Sequence, residues 1–181
     1  MSAYPWVAVD AIRFQDGEGM MSRNRIEDEL AITRTIQLVA RAYDHKRHRE
    51  LLPRLFEENA RQHYYFLGQF VDFSMPGGIE IAEAYHRRCC STQHLCSPPV
   101  IDFQSDDVAH TTTTVHAVHV QVLQDGTRSN WLLGGYYHDV LVRHPEGWRI
   151  RERTAFGTYE EGRFHEDARL FPTLVDYTKP F

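Results

Sequence analysis

The sequence predicts an α+β fold, with helices first and long antiparallel strands afterwards. Three observations carry that prediction. Ile32, Ile36, Val39 and Tyr43 recur at helical spacing in the first third of the chain. Beyond residue 100 the chain becomes rich in Thr, Val, Tyr and Trp, which suit a pleated, half-buried surface. The segments "QDGT" and "PEG" then divide that half into runs in the way hairpin turns do. At 181 residues the chain is long enough for one domain with a substantial core and an internal cavity.

The elements follow in order. Residues 1–24 lack helical periodicity and carry a Gly-rich patch, so they read as an N-terminal extension to a domain spanning 25–181. After the first helix, "RHRELLPRLFEENA" offers Leu51, Leu52, Leu55 and Phe56 as the buried side of a second, with Pro53 in its first turn or bending it. "ARQHYYFLG" reads as a strand. "GGIEIAEAYHRRCC" reads as a third helix that starts after Pro76-Gly77-Gly78 and carries Cys89 and Cys90. "STQHLCSPP", residues 91–99, should be neither helix nor clean strand. The long strands come next: "DDVAHTTTTVHAVHVQVL", "NWLLGGYYHDVLVRH" and "GWRIRERTAFGTYEE". A C-terminal tail from about residue 165, "ARLFPTLVDYTKPF" included, is aromatic enough to dock over a pocket mouth or a neighbouring subunit.

Charge and motifs remove several function classes. The formal net charge is -5 with no basic run, which argues against nucleic acid and anionic membrane surfaces as partners. No apolar run approaches the roughly 20 residues that span a bilayer, and the N-terminus lacks a basic segment followed by an apolar one. Cys89, Cys90 and Cys96 form an odd, clustered set without CxxC spacing, as expected of reduced thiols in a cytoplasmic protein. No HExxH, GxSxG, GxGxxG or GxxxxGK appears, so neither a metal nor a cofactor is expected. The only local histidine pairings of interest are His45 with His48 and His94 with Cys96. His116 and His119 should point to opposite faces of a strand.

Acid–base chemistry is what remains. On the first long strand His110, Thr112, Thr114 and His116 share one face, and Val115, Ala117 and His119 the other. A polar strand face is either solvated or the lining of a cavity; Tyr136 and His138 on the next strand have the same two readings. Asp44 ends the first helix beside the face carrying Ile36, Val39 and Tyr43, where it either caps the next helix or meets a partner. His94 is either structural or a base. A carboxylate that accepts one ring N–H would fix the tautomer and leave the other nitrogen as a base near neutral pH.

These residues sit in a recognisable pattern. "RIEDELAITRTIQLVARAYDHKRHRELLPRLFEENARQHYYF", "STQHL" and "GGYYHDVLVRHPEGWRIRER" resemble the SnoaL-like enzymes of the nuclear-transport-factor-2-like superfamily. The resemblance is nearest to the branch of scytalone dehydratase, hexachlorocyclohexane dehydrochlorinase and bile-acid 7α-dehydratase. It implies a cone of curved antiparallel sheet packed on N-terminal helices around a deep pocket. It also implies a cofactor-independent lyase acting on a hydrophobic, aromatic or polycyclic small molecule, with isomerase, cyclase or plain ligand binding as the other uses of the scaffold. By the same resemblance His94 and Asp44 form the base dyad, and Tyr43 and Arg153 assist. Tyr64, His110, Thr112, Tyr136 and His138 face the substrate, with Thr112 at the place of a second pocket histidine. Simple alternation puts Arg153 opposite Trp148 and Ile150, so it reaches the pocket only if that strand is bulged. A homotrimer, or else a homodimer, is the assembly the resemblance implies.

Overall fold

The computed structural model describes residues 23–66, 69–176 and 178, so the expected N-terminal extension lies almost wholly outside the described residues. Helix α1 spans Arg23–Asp44 and buries the predicted stripe: Ile32, Ile36, Val39 and Tyr43 are all at most 6% exposed. The chain turns away two residues past its end, at Lys46, which adopts a left-handed conformation with φ 53°. That conformation is uncommon for a residue with a side chain. The lysine is held there by its ammonium, which donates to the Cys89 and Thr173 carbonyls at 2.7 and 3.2 Å, and to that of Phe171.

Helix α2, His48–Leu55, is shorter than its apolar pattern suggests. Pro53 lies inside it, past the first turn, and the chain leaves the helix at Phe56 in extended conformation. "FEENA" therefore begins strand β1, Phe56–Phe66, and does not continue the helix. Strand β2 is Gln69–Ser74, and helix α3 is Gly77–His86, so Cys89 and Cys90 lie beyond the helix predicted to carry them. The five further strands are β3 Ser91–Cys96, β4 Val100–Phe103, β5 Val108–Val122, β6 Arg128–His144 and β7 Gly147–Gly162.

These strands make one curved, unclosed seven-stranded sheet in the order β2-β1-β7-β6-β5-β3, with β4 also on β5. The hairpins fall at "QDGT" and "PEG", where Gly126 and Gly147 take positive φ of 91° and 125°. All pairings are antiparallel except β1 with β7, which run parallel. "STQHLC", expected to be irregular, is the edge strand β3, and Pro98-Pro99 separate it from β4 further along the same edge of β5. Proline cannot donate to a ladder, so the prolines break the edge in two.

Helix α1 packs in the concavity of the sheet. Its apolar stripe meets Phe56, Leu141, Trp148 and Ile150, and Thr35 donates to the Trp148 carbonyl at 3.0 Å. Asp28 fixes the entry of the helix, accepting from both Arg143 terminal nitrogens at 2.6 Å and from the Trp148 indole at 3.0 Å. No helix among the described residues is long and apolar enough to cross a membrane.

Candidate active site

A cavity of about 430 Å³ opens between the inner face of the sheet, α3 and the end of α1. Tyr43, Tyr64, Phe73, His94, His119 and Trp131 are among its walls. Two register shifts shape it. Near Gly134 and Gly135 the β6–β7 ladder slips by a residue, and a Cβ on Gly135 would stand 1.8 Å from the Phe156 carbonyl oxygen. Glycine is required by that close approach. Arg163, Phe164 and Glu166, just beyond β7, border the opening. The buried Gln121 amide anchors this segment by donating to the His165 carbonyl at 3.0 Å and accepting its N–H at 2.8 Å.

The structure brings Asp44 and His94 together. His94 Nδ1 lies 2.7 Å from Asp44 Oδ1, and the His94 backbone N–H donates to Oδ2 at 3.0 Å. One carboxylate thus takes both N–H groups of a single residue. A carboxylate at the C-terminus of a helix opposes the macrodipole. Two donors from β3 offset that cost, and the charge-assisted bonds are the strong kind. Because an ionised carboxylate only accepts, Nδ1 carries the hydrogen, and in the neutral ring the lone pair is on Nε2. Even-numbered residues of β3 face inward, which aims His94 at the cavity.

Three more histidines stand behind it. The His86 and His119 rings lie 5.8 and 5.4 Å from that of His94, and Tyr43 lies 5.4 Å from it. One nitrogen from each of His86, His94 and His119 falls within 4.8 Å of the others. His86 Nδ1 meets His48 Nε2 at 2.8 Å, and His119 Nδ1 donates to the Trp131 carbonyl at 3.3 Å. Burial pulls His48 down to about 4 and His119 down to about 3, and it holds His86 well below its ordinary value. Burial likewise raises the Tyr43 phenol, and Tyr64 further still, against the pull of the Arg153 charge. Both tyrosines therefore stay O–H donors at neutral pH.

Arg153 reaches the inner face because β7 is indeed bulged. The register shifts between Val140 and Leu141, so Arg151 is the extra residue and Ile150, Arg153 and Ala155 all point inward. Arg153 is fully buried behind the tyrosines. It donates to both Asp139 oxygens at 2.7 and 2.8 Å, and its guanidinium lies 4.2 Å from the Tyr137 ring centroid. It does not line the cavity.

The predicted substrate residues separate. Tyr64 lines the cavity. Tyr136 borders it but remains 41% exposed. His110 is exposed, and Thr112 and His138 bond to each other at 2.9 Å. Their ladder partners place all three on the outer sheet face, opposite Val115, Ala117 and His119. The strand histidine beside His94 is therefore His119, not the Thr112 position with its neighbour His110. Its signal was present in the sequence, since it shares a face with Val115 and Ala117. His86 was also missed, although it follows Ile79 and Ala82 at helical spacing. His45 is exposed while His48 is buried, so that pair does not converge. The three cysteines are thiols, and burial pushes Cys89 up to about 12, which leaves it unreactive.

Comparison with known proteins agrees with this architecture. A provisionally assigned scytalone dehydratase of Novosphingobium aromaticivorans DSM 12444 superposes with a TM-score of 0.68 at 22% identity, covering 83% of this chain and 97% of that one. The Kfla4162 protein of Kribbella flavida gives 0.66 at 23%, covering 76% and 95%. A type 2 hexachlorocyclohexane dehydrochlorinase gives 0.64 at 14%, covering 77% and 91%. A comparison with curated proteins finds no match. The profile of the SnoaL-like domain matches residues 24–154, and the chain belongs to the SnoaL-like family.

Proposed function

We propose that the chain is a lyase in which His94 removes a proton from a hydrophobic small molecule. The observation that carries this reading is the single carboxylate of Asp44 holding both N–H groups of His94. It fixes the ring, leaves Nε2 as the base and stabilises the imidazolium that forms. Tyr43 and Tyr64 are the donors for a departing oxygen or a developing oxyanion, since burial keeps both protonated. Arg153 acts from behind, as a positioning residue for that tyrosine layer. The aromatic walls, Phe66, Phe73, Trp131 and Phe156 among them, suit an aromatic or polycyclic substrate. The dehydratase and dehydrochlorinase among the similar folds support elimination, of water in the first instance and of formaldehyde from a hydroxymethyl group as a variant of the same base chemistry.

The test begins with a mass-spectrometric screen of phenolic and polycyclic alcohols for products lighter by water or formaldehyde. An unchanged product mass would instead assign an isomerase. On a substrate so found, His94→Ala and Asp44→Asn should each lower kcat by about 10²- to 10⁴-fold, the usual worth of a positioned base. Folded variants that turn over near the wild-type rate would sink the reading.

A further inference from the structure

Two of the three nitrogens gathered behind the cavity have their state dictated by their neighbours. The Asp44 carboxylate and the Trp131 carbonyl can only accept, so His94 and His119 both donate from Nδ1, and in the neutral rings the lone pairs lie on Nε2. His86 Nδ1 is taken up by His48, which leaves its Nε2 for a ligand. One nitrogen of each ring lies within 4.8 Å of the others, on the wall of an open cavity, and with every Nδ1 already bonded we take these to be the Nε2 atoms. Lone pairs brought together repel unless something electropositive stands among them.

We propose that His86, His94 and His119 form a three-histidine site for a divalent transition-metal ion of the zinc class. Three imidazoles with a fourth position open to a cavity is a known zinc arrangement. In such sites the other ring nitrogen of each ligand is held by a carboxylate, a carbonyl or a comparable group, which fixes the tautomer. Here Asp44, the Trp131 carbonyl and His48 fill those places. Nitrogens about 2.0–2.1 Å from zinc stand about 3.4 Å apart, so binding draws the rings closer than they lie in the free protein. Imidazole donors favour zinc, cobalt, nickel and copper over magnesium and calcium, which take oxygen ligands. An ion on His94 Nε2 occupies the lone pair that proton removal needs, so the loaded protein is inhibited. That consequence alone rests on the proposed base role of His94; binding does not.

The experiment titrates the chelator-treated full chain with Zn²⁺ by calorimetry and with Co²⁺ by visible absorption, using Mg²⁺ as the contrast. One equivalent of Zn²⁺, four-coordinate cobalt bands and no heat from Mg²⁺ are expected. His86→Ala and His119→Ala should each weaken Zn²⁺ binding by at least about 100-fold, whereas His110→Ala on the exposed outer face should leave it unchanged. No saturable Zn²⁺ or Co²⁺ binding by the wild type overturns the site, and so does wild-type affinity in a folded His119→Ala. If His86→Ala does not fold, the wild-type cobalt spectrum and His119→Ala decide. Zn²⁺ that binds without slowing turnover keeps the site and removes the base role of His94. Turnover lost in His94→Ala with no ion bound by the wild type does the reverse.

Discussion

Asp44 and Asp139 each give both carboxylate oxygens to one partner at closely similar distances, yet the two pairs differ in what they can do. Asp139 is 2% exposed and faces Arg153, a cation that does not lose its charge and does not line the cavity. The Asp44 side chain is 17% exposed and faces His94, an imidazole that reaches the cavity. One pair is a fixture of the sheet, and the other is the pair proposed as the base. The lesson is that a buried carboxylate becomes a functional candidate through its partner's titration and the partner's access to a ligand. Hydrogen-bond geometry alone does not distinguish the two.

That comparison can be broken first at Arg153. Arg153→Ala leaves Asp139 charged, buried and unpaired, and should cost about 3–5 kcal/mol of stability. Replacing both, as Arg153→Met with Asp139→Leu, should recover most of the loss. Urea unfolding of the two proteins checks this; a loss under about 1 kcal/mol for Arg153→Ala would mean that water reaches the pair.

The histidines beside Asp44 supply the next effect, in pH. His48, His86 and His119 have folded pKa values below the ordinary 6.5, so the unfolded chain binds protons that the folded rings refuse. Stability contributed this way is present above pH 6.5 and is lost as the pH falls, through about 4 for His48 and about 3 for His119. Each ring adds a slope of up to about 1.4 kcal/mol per pH unit. Chemical denaturation of the metal-free protein from pH 7 to 4.5 should show a steep fall, and a flat profile would contradict the burial of the cluster.

Asp44→Asn should have the smallest structural effect. It loses charge-assisted bonds worth about 1.5–3 kcal/mol but removes a negative charge from a helix C-terminus, which returns about 0.3–1 kcal/mol. A net loss of about 1–2 kcal/mol, measured by thermal and urea unfolding, would mark the pair as one whose value lies mainly outside stability. A loss as large as that of Arg153→Ala would make the two pairs equivalent.

Much of this arrangement is legible in the sequence. The stripe from Ile32 to Tyr43 and the turns at "QDGT" and "PEG" are local signals, and both act locally in the structure. Asp44 and His94 were paired through resemblance to a family, not through spacing, since 50 residues separate them. "STQHLC" does not read as a strand because its strand character comes from β5, which supplies its ladder, and not from its own composition. The apolar pattern overstates helix α2 because "LLPRLF" continues it into Phe56, a residue that serves β1 instead.

The sequence by itself determined the α+β division, the buried stripe of α1 and the hairpins. Only the tertiary structure decided which histidines accompany Asp44 and His94. Alternation along β5 places His110 and His119 on opposite faces, but helix packing against one face makes that face the interior. A single extra residue, Arg151, turns Arg153 from the outer face to the inner one. Strand parity is written in the chain, whereas the choice of which side excludes water is made by everything that packs on it.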